Sequence, residues 1–195
     1  AYVIDDIRPL REAAADSSLA SEALRVLPMA PAQKYATAEA VGYRSVGHAM
    51  MFGEMRPYGA LIDYWVGAEG VRRASIDILD VDETSMRTLS GSADPGVNRI
   101  VWNLRRGGAD GREGQGSEVL AGTYTVRVTL GDAVSTGQIT VVEDVREDIP
   151  LARRIAKLQA VERAQSMTTA LSEAQQRLER AIRTVETVQE SLTGR

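Results

Sequence analysis

Between residues 58 and 142 polar and apolar positions alternate in several short runs. In Gly122–Leu130, Tyr124, Val126, Val128 and Leu130 fall on one face, with Thr123, Thr125, Arg127 and Thr129 on the other. A period of two marks a strand with one buried face. Ile76 and Ile78 alternate with Ser75 and Asp77, Ile100 and Trp102 with Arg99, Val101 and Asn103, and Ile139 and Val141 make one more pair. Around Ala60–Trp65 both faces carry bulk, as in a strand covered on each side. Strands are therefore predicted from Tyr58 onward, then at Val71–Val81, Met86–Ser90, Val97–Arg105, Gly122–Leu130 and Ala133–Val142. Gly131-Asp132 between the last two is a tight hairpin signal, since positive φ is needed there. Short strands at this spacing, separated by Gly, Asp and Pro, predict a small antiparallel β-sandwich over residues 58–146. Trp102, if buried, dominates its core.

The flanks read differently. Residues 1–10 predict a short strand ending at Pro9, and residues 11–57 an extended connector. A short helix is expected within Arg11–Leu27, where Leu19, Ala23, Leu24 and Leu27 sit near helical spacing. Pro28 and Pro31 then interrupt regular structure. Residues 32–55, with the apolar knot Met50-Met51-Phe52, are expected to lie against a neighbouring surface. After Val142 the period lengthens to between three and four. Asp148 is the expected N-cap and Pro150 a first-turn residue of a helical tail over residues 147–195. Leu151, Ile155 and Leu158 start an apolar stripe. Further on, Leu171, Leu178, Val185 and Leu192 recur every seven residues with Ala174, Ala181 and Val188 between them, an a/d seam. Ser166-Met167-Thr168-Thr169 weakens the helix at its middle, so a single long helix and a helical hairpin both remain open. Either way the seam requires a partner: internal, in another part of the parent protein, or on a second chain.

Composition narrows the function. The net charge is −4, and without a concentrated basic face a nucleic-acid partner is not expected; Arg105-Arg106 and Arg153-Arg154 read as solvated surface. The 195 residues contain no Cys, which excludes disulfides, thiolate catalysis and Cys-bound metal. No apolar run is long enough for a transmembrane segment. The chain enters directly at Tyr2-Val3-Ile4 with no signal-peptide pattern, and is read as a piece of a longer polypeptide.

The order Asp77-Ile78-Leu79-Asp80, Arg87-Thr88-Leu89, Asn98-Arg99-Ile100-Val101-Trp102-Asn103-Leu104-Arg105 and Ala121-Gly122-Thr123-Tyr124-Thr125-Val126 resembles the immunoglobulin-like domain of the flagellar hook-capping protein. More closely, it is similar to the domain at the C-terminal end of bacterial sortilin-like proteins with BNR repeats, often labelled glycosyl hydrolases. Tyr2-Val3-Ile4-Asp5-Asp6-Ile7-Arg8-Pro9-Leu10-Arg11 resembles the segment leaving the last propeller blade of those proteins, and Arg56-Pro57-Tyr58-Gly59-Ala60 the entry to their sandwich. These flanks favour the sortilin-like relative over the hook-cap one. The resemblance implies a propeller domain on the same polypeptide and an exported location: periplasm, cell surface or extracellular. It also implies that Asp5-Asp6 is a structural signature whose side chains satisfy backbone donors.

Candidate chemistry is sparse. Asp77, Asp80, Asp82 and Glu83 form the densest acidic group, but their spacing lacks the regular ligand array and the Gly of a calcium loop, so a strand-to-strand turn is expected. His48 has no second His or Cys beside it, which leaves a metal site or a Ser-His-Asp triad without support. The Gly-rich stretch 107–116 precedes a strand and lacks Lys, the wrong context for a phosphate-cradling loop. Relatives usually carry a Pro-rich loop there, so contacts made by this loop do not carry over. The Asp boxes of BNR repeats are absent. No catalytic, cofactor-binding or metal residue is assigned. The expected role is a non-catalytic module that braces a propeller or docks it to a partner or the envelope. The alternative is an accessory domain of a glycoside hydrolase or peptidase whose catalytic residues lie on the propeller.

Overall fold

The structure, a computed structural model, describes residues 6–36, 56–67, 70, 72–107 and 116–193. Contacts divide the chain into a β-rich unit, residues 1–106 with 118–148, and a second unit formed by residues 107–117 and 149–195.

Among the described residues the β-rich unit contains eight strands: β1 Leu24–Val26, β2 Ala32–Gln33, β3 Ala60–Val66, β4 Arg73–Leu79, β5 Ser85–Ser92, β6 Gly96–Trp102, β7 Gly122–Leu130 and β8 Ala133–Val142. They make two sheets, one ordered β1-β3-β6 and the other β2-β8-β7-β4-β5. Every pairing is antiparallel except β2 with β8, which is parallel. The expectation of a purely antiparallel arrangement is corrected at this one pair.

Alternating residues from both sheets meet in one hydrophobic core. Ala60, Ile62, Tyr64, Val66 and Trp102 come from the smaller sheet, and Ala74, Ile76, Ile78, Tyr124, Val126, Val128, Ile139 and Val141 from the larger. These are the apolar halves of the period-two runs, so the pattern that predicts each strand also selects its buried face. Trp102 is fully buried and meets the Tyr124 ring edge-to-face, centroids 5.4 Å apart, a preferred aromatic geometry. Its indole N–H donates to the Arg105 carbonyl at 2.9 Å, so the core takes in a large ring without leaving a polar atom unpaired. The strand expected to run to Arg105 stops at Trp102 because Leu104 adopts φ 58° and turns the chain. The Leu104 side chain is wholly buried, and that packing offsets the cost of a left-handed residue with a Cβ. At the β7–β8 turn Gly131 has φ 58° and Leu130 pairs with Ala133, the expected two-residue hairpin.

The segment before β3 departs from expectation in two ways. Residues Arg8–Ala15 form a helix, α1, where the sequence predicts a strand ending at Pro9. Proline's fixed φ suits a first helical turn, Asp6 accepts the Arg8 backbone N–H at 3.0 Å, and Arg-Glu-Ala-Ala-Ala consists of good helix formers. Residues 1–5 of that predicted strand lie outside the described residues. In addition, β1 and β2 belong to the sheets although they come from the presumed connector 11–57. Leu19 is buried from a short 3-10 turn, Ser17–Ser21, and Leu24 from β1, so their near-helical spacing does not reflect a shared helix.

The second unit contains α2, one uninterrupted helix from Leu151 to Thr193. Of the two alternatives for the tail, the hairpin is thereby removed. The Thr168 and Thr169 hydroxyls donate to the carbonyls of Ala164 and Gln165, four residues back, so the weak middle is accommodated rather than broken. Pro150, not Asp148, supplies the first helical carbonyl, accepting from the Arg153 and Arg154 N–H groups. No helix among the described residues is long and apolar enough to cross a membrane.

Candidate functional site

The acidic group on β4 and its following turn has a local explanation. Asp80 Oδ1 accepts the backbone N–H groups of Asp82 (3.0 Å) and Thr84 (2.9 Å), while the Asp80 N–H donates to the Thr84 carbonyl. Glu83 takes the left-handed position of this turn, φ 57°. Asp77 accepts from the Thr88 hydroxyl at 2.5 Å, across the strand pair that places those residues opposite each other. These carboxylates close a turn and tie two strands together, and among the described residues no group of three or more acidic or His side chains is arranged to hold a metal ion. His48, Asp5 and residues 108–115 of the Gly-rich stretch lie outside the described residues. Arg105 forms an isolated antiparallel bridge with Glu118, and the Arg154 guanidinium donates to the Ile149 carbonyl at 3.2 Å.

Two polar clusters that no local motif reveals organise the β-rich unit. The first is built on Asp63, in the middle of the apolar run of β3 and only 1% exposed. The antiparallel register sets it directly opposite Arg99 on β6. Arg99 Nε donates to Asp63 Oδ1 at 2.6 Å and Nη2 to Oδ2 at 3.2 Å, a two-pronged charge-assisted pair. Nη2 also donates to the Asp6 backbone carbonyl at 3.2 Å. Asp6 is itself buried, and its carboxylate caps the start of α1. A chain of hydrogen bonds therefore runs from a buried strand carboxylate, through an arginine, to the backbone just before α1. The Asp6 side chain satisfies one backbone donor, the Arg8 N–H.

The second cluster surrounds Lys34, just beyond β2 and nearly buried. Its ammonium donates to the Val119 carbonyl at 2.9 Å and to Glu143 Oε1 at 3.3 Å, with Glu118 Oε2 at 3.8 Å. Glu143 Oε1 also accepts from the Ala121 N–H, and the Tyr58 hydroxyl donates to Glu118 at 3.1 Å. The Tyr35 ring stands edge-on to Tyr58, centroids 5.0 Å apart. Burial, with the negative Glu118 beside it, pushes the Tyr58 hydroxyl up to about 12, so it stays a proton donor throughout the neutral range. Two of the lysine's donors meet oxygens on segments 85 and 109 residues away, and the Glu118 carboxylate lies at ion-pair distance. These contacts tie the segment after β2 to those before β7 and after β8.

On α2 the seam residues are placed where the heptad spacing predicts, and they are open: Leu171 is 71%, Leu178 62% and Val185 64% exposed. The side chain of Leu192 lies outside the described ones. Sequence reasoning did not reach the Asp63–Arg99 and Lys34 clusters, whose partners are 36 to 109 residues apart. One signal was present: a carboxylate inside Ala60–Val66, a run otherwise fit for burial on both faces, requires a cation from a neighbouring strand. Compared with known proteins, the chain matches no protein-family model and no curated protein.

Proposed function

We propose that this chain is a non-catalytic scaffolding and interaction module: an immunoglobulin-like β-sandwich that braces the polypeptide entering at its N-terminus, followed by a helix for docking. The strand order supports the sandwich. Read as A-B-E for β1-β3-β6 and A′-G-F-C-C′ for β2-β8-β7-β4-β5, it follows immunoglobulin-like connectivity, including a first strand split between sheets and running parallel to the last. The Tyr124 hydroxyl donates to the Leu120 carbonyl at 2.7 Å, at the start of the strand in the F position, as a tyrosine corner does. In this reading the braced neighbour is a propeller domain of an exported bacterial protein, as the residue resemblance implies.

The observation that carries the role is the path Asp63–Arg99–Asp6. A bidentate pair rooted in a strand fixes the direction in which the chain arrives, and a brace needs a rigid entry. Arg99→Ala leaves Asp63 buried without its counter-charge. The expected cost is about 3 kcal/mol, the lower end for breaking a buried pair, because Arg99 is 34% exposed. Limited trypsin digestion then cuts after Arg11 in the variant, while the parent chain resists there at the same enzyme ratio. Unchanged digestion contradicts the brace. Turnover of aryl glycosides or peptides by the purified 195-residue chain contradicts the non-catalytic assignment, whereas a fall in hydrolysis by the full-length protein on removal of residues 56–195, with binding intact, favours the accessory-enzyme alternative.

A further inference from the structure

Helix α2 displays apolar residues to solvent at Met167, Leu171, Ala174, Leu178, Ala181, Val185 and Val188, which continues the seam toward its N-terminus by one position, and the repeat runs on in the sequence to Leu192. Because α2 does not fold back, no second helix of α2 covers this face. The sizes of these residues say what fits. In a parallel in-register pair, Ala174 meets Ala174 and Ala181 meets Ala181, leaving thin layers between thick Leu layers. Reversing one helix about a two-fold axis between Glu179 and Arg180 sets Leu178 against Ala181, Ala174 against Val185, Leu171 against Val188 and Met167 against Leu192. Each alanine then faces a larger side chain, and the layers become even.

Charge agrees with the reversed pairing. The residues beside the seam on one edge, Thr168, Gln175, Ile182 and Gln189, are uncharged, and on the other edge Arg177 comes opposite Thr184, so no like charges meet. From Met167 to Leu192 the helix runs roughly 38 Å at 1.5 Å per residue, enough to bury about 800 Å² on each partner, the standard size of a specific interface. We propose that α2 pairs with α2 of a second copy of this chain in an antiparallel coiled coil, independently of the brace.

Sedimentation equilibrium of the 195-residue chain measures the pairing. A dimer is expected at micromolar concentration, and Leu178→Glu, at an exposed position, should keep its far-ultraviolet helical signal while raising the dimer Kd by roughly 100-fold or more, since two charges enter the seam. Orientation is read by cross-linking, which the absence of native cysteine makes clean. Mixing Met167→Cys with Leu192→Cys chains should give a disulfide-linked heterodimer on oxidation, and Met167→Cys alone should give none. A monomer at tens of micromolar, a dimer indifferent to Leu178→Glu, or a cross-linked Met167→Cys homodimer would overturn the proposal.

Discussion

At the scale of single residues, the protein is held by a few side chains that join segments distant in sequence. Trp102 is the largest of the fully buried ones. Trp102→Ala should cost about 3–5 kcal/mol in urea denaturation, a large part of the stability of a small domain; Trp102→Phe, which keeps an aromatic body but loses the bond to the Arg105 carbonyl, should cost clearly less. Gly91 shows the opposite constraint: a Cβ there would lie 2.2 Å from the Tyr64 hydroxyl, which donates to the neighbouring Ser92 carbonyl. Near the chain entry, Asp16 accepts from the Ser18 N–H and hydroxyl and pairs with Arg25. Those hydrogen bonds, Ser18 first and Arg25 next, hold its carboxyl at about 2. A folded pKa below the unfolded one means that the stabilisation is complete above about pH 4 and fades as pH falls through 2. Carbon-detected NMR titration should give a midpoint for Asp16 near 2; a midpoint near the ordinary 3.8 would remove this contribution.

At the scale of elements, strand and helix differ in how openly the sequence announces them. β7 and β8 match their predicted bounds because alternation runs along β7 from Thr123 to Leu130, and the Gly131-Asp132 hairpin with the Ile139/Val141 pair then places β8. β1 and β2 have only three and two residues, too few to display a period, and they exist because edges of larger strands offer them partners. Helix α1 follows an apolar start that reads equally as a strand, and what distinguishes it is Pro9 in the first turn with Asp6 accepting the Arg8 N–H. The Asp63–Arg99 pair depends on a register between strands 36 residues apart, which one strand's pattern does not specify. Turn chemistry, by contrast, is local and legible. Gly131 at φ 58° should tolerate Asn, whereas Gly131→Val should destabilise by about 1–2 kcal/mol in thermal melts; equal effects of the two would mean the hairpin is not built on that residue.

At the scale of the molecule, the charged and polar groups of the β-rich unit tie the entry segment, the strand ends and the turns to two sheets with one core. The account depends on those sheets being layers of a single cooperative body, since a brace that opens between its layers transmits no orientation. Native-state hydrogen exchange on the intact chain, with and without Trp102→Ala, tests this directly. The amides of β3 and β6 and those of β4 and β7 should share one opening free energy, and the substitution should lower both by the same amount. Exchange of β4 and β7 that is untouched by Trp102→Ala, while β3 and β6 lose protection, would mean two independent sheets and would contradict the account.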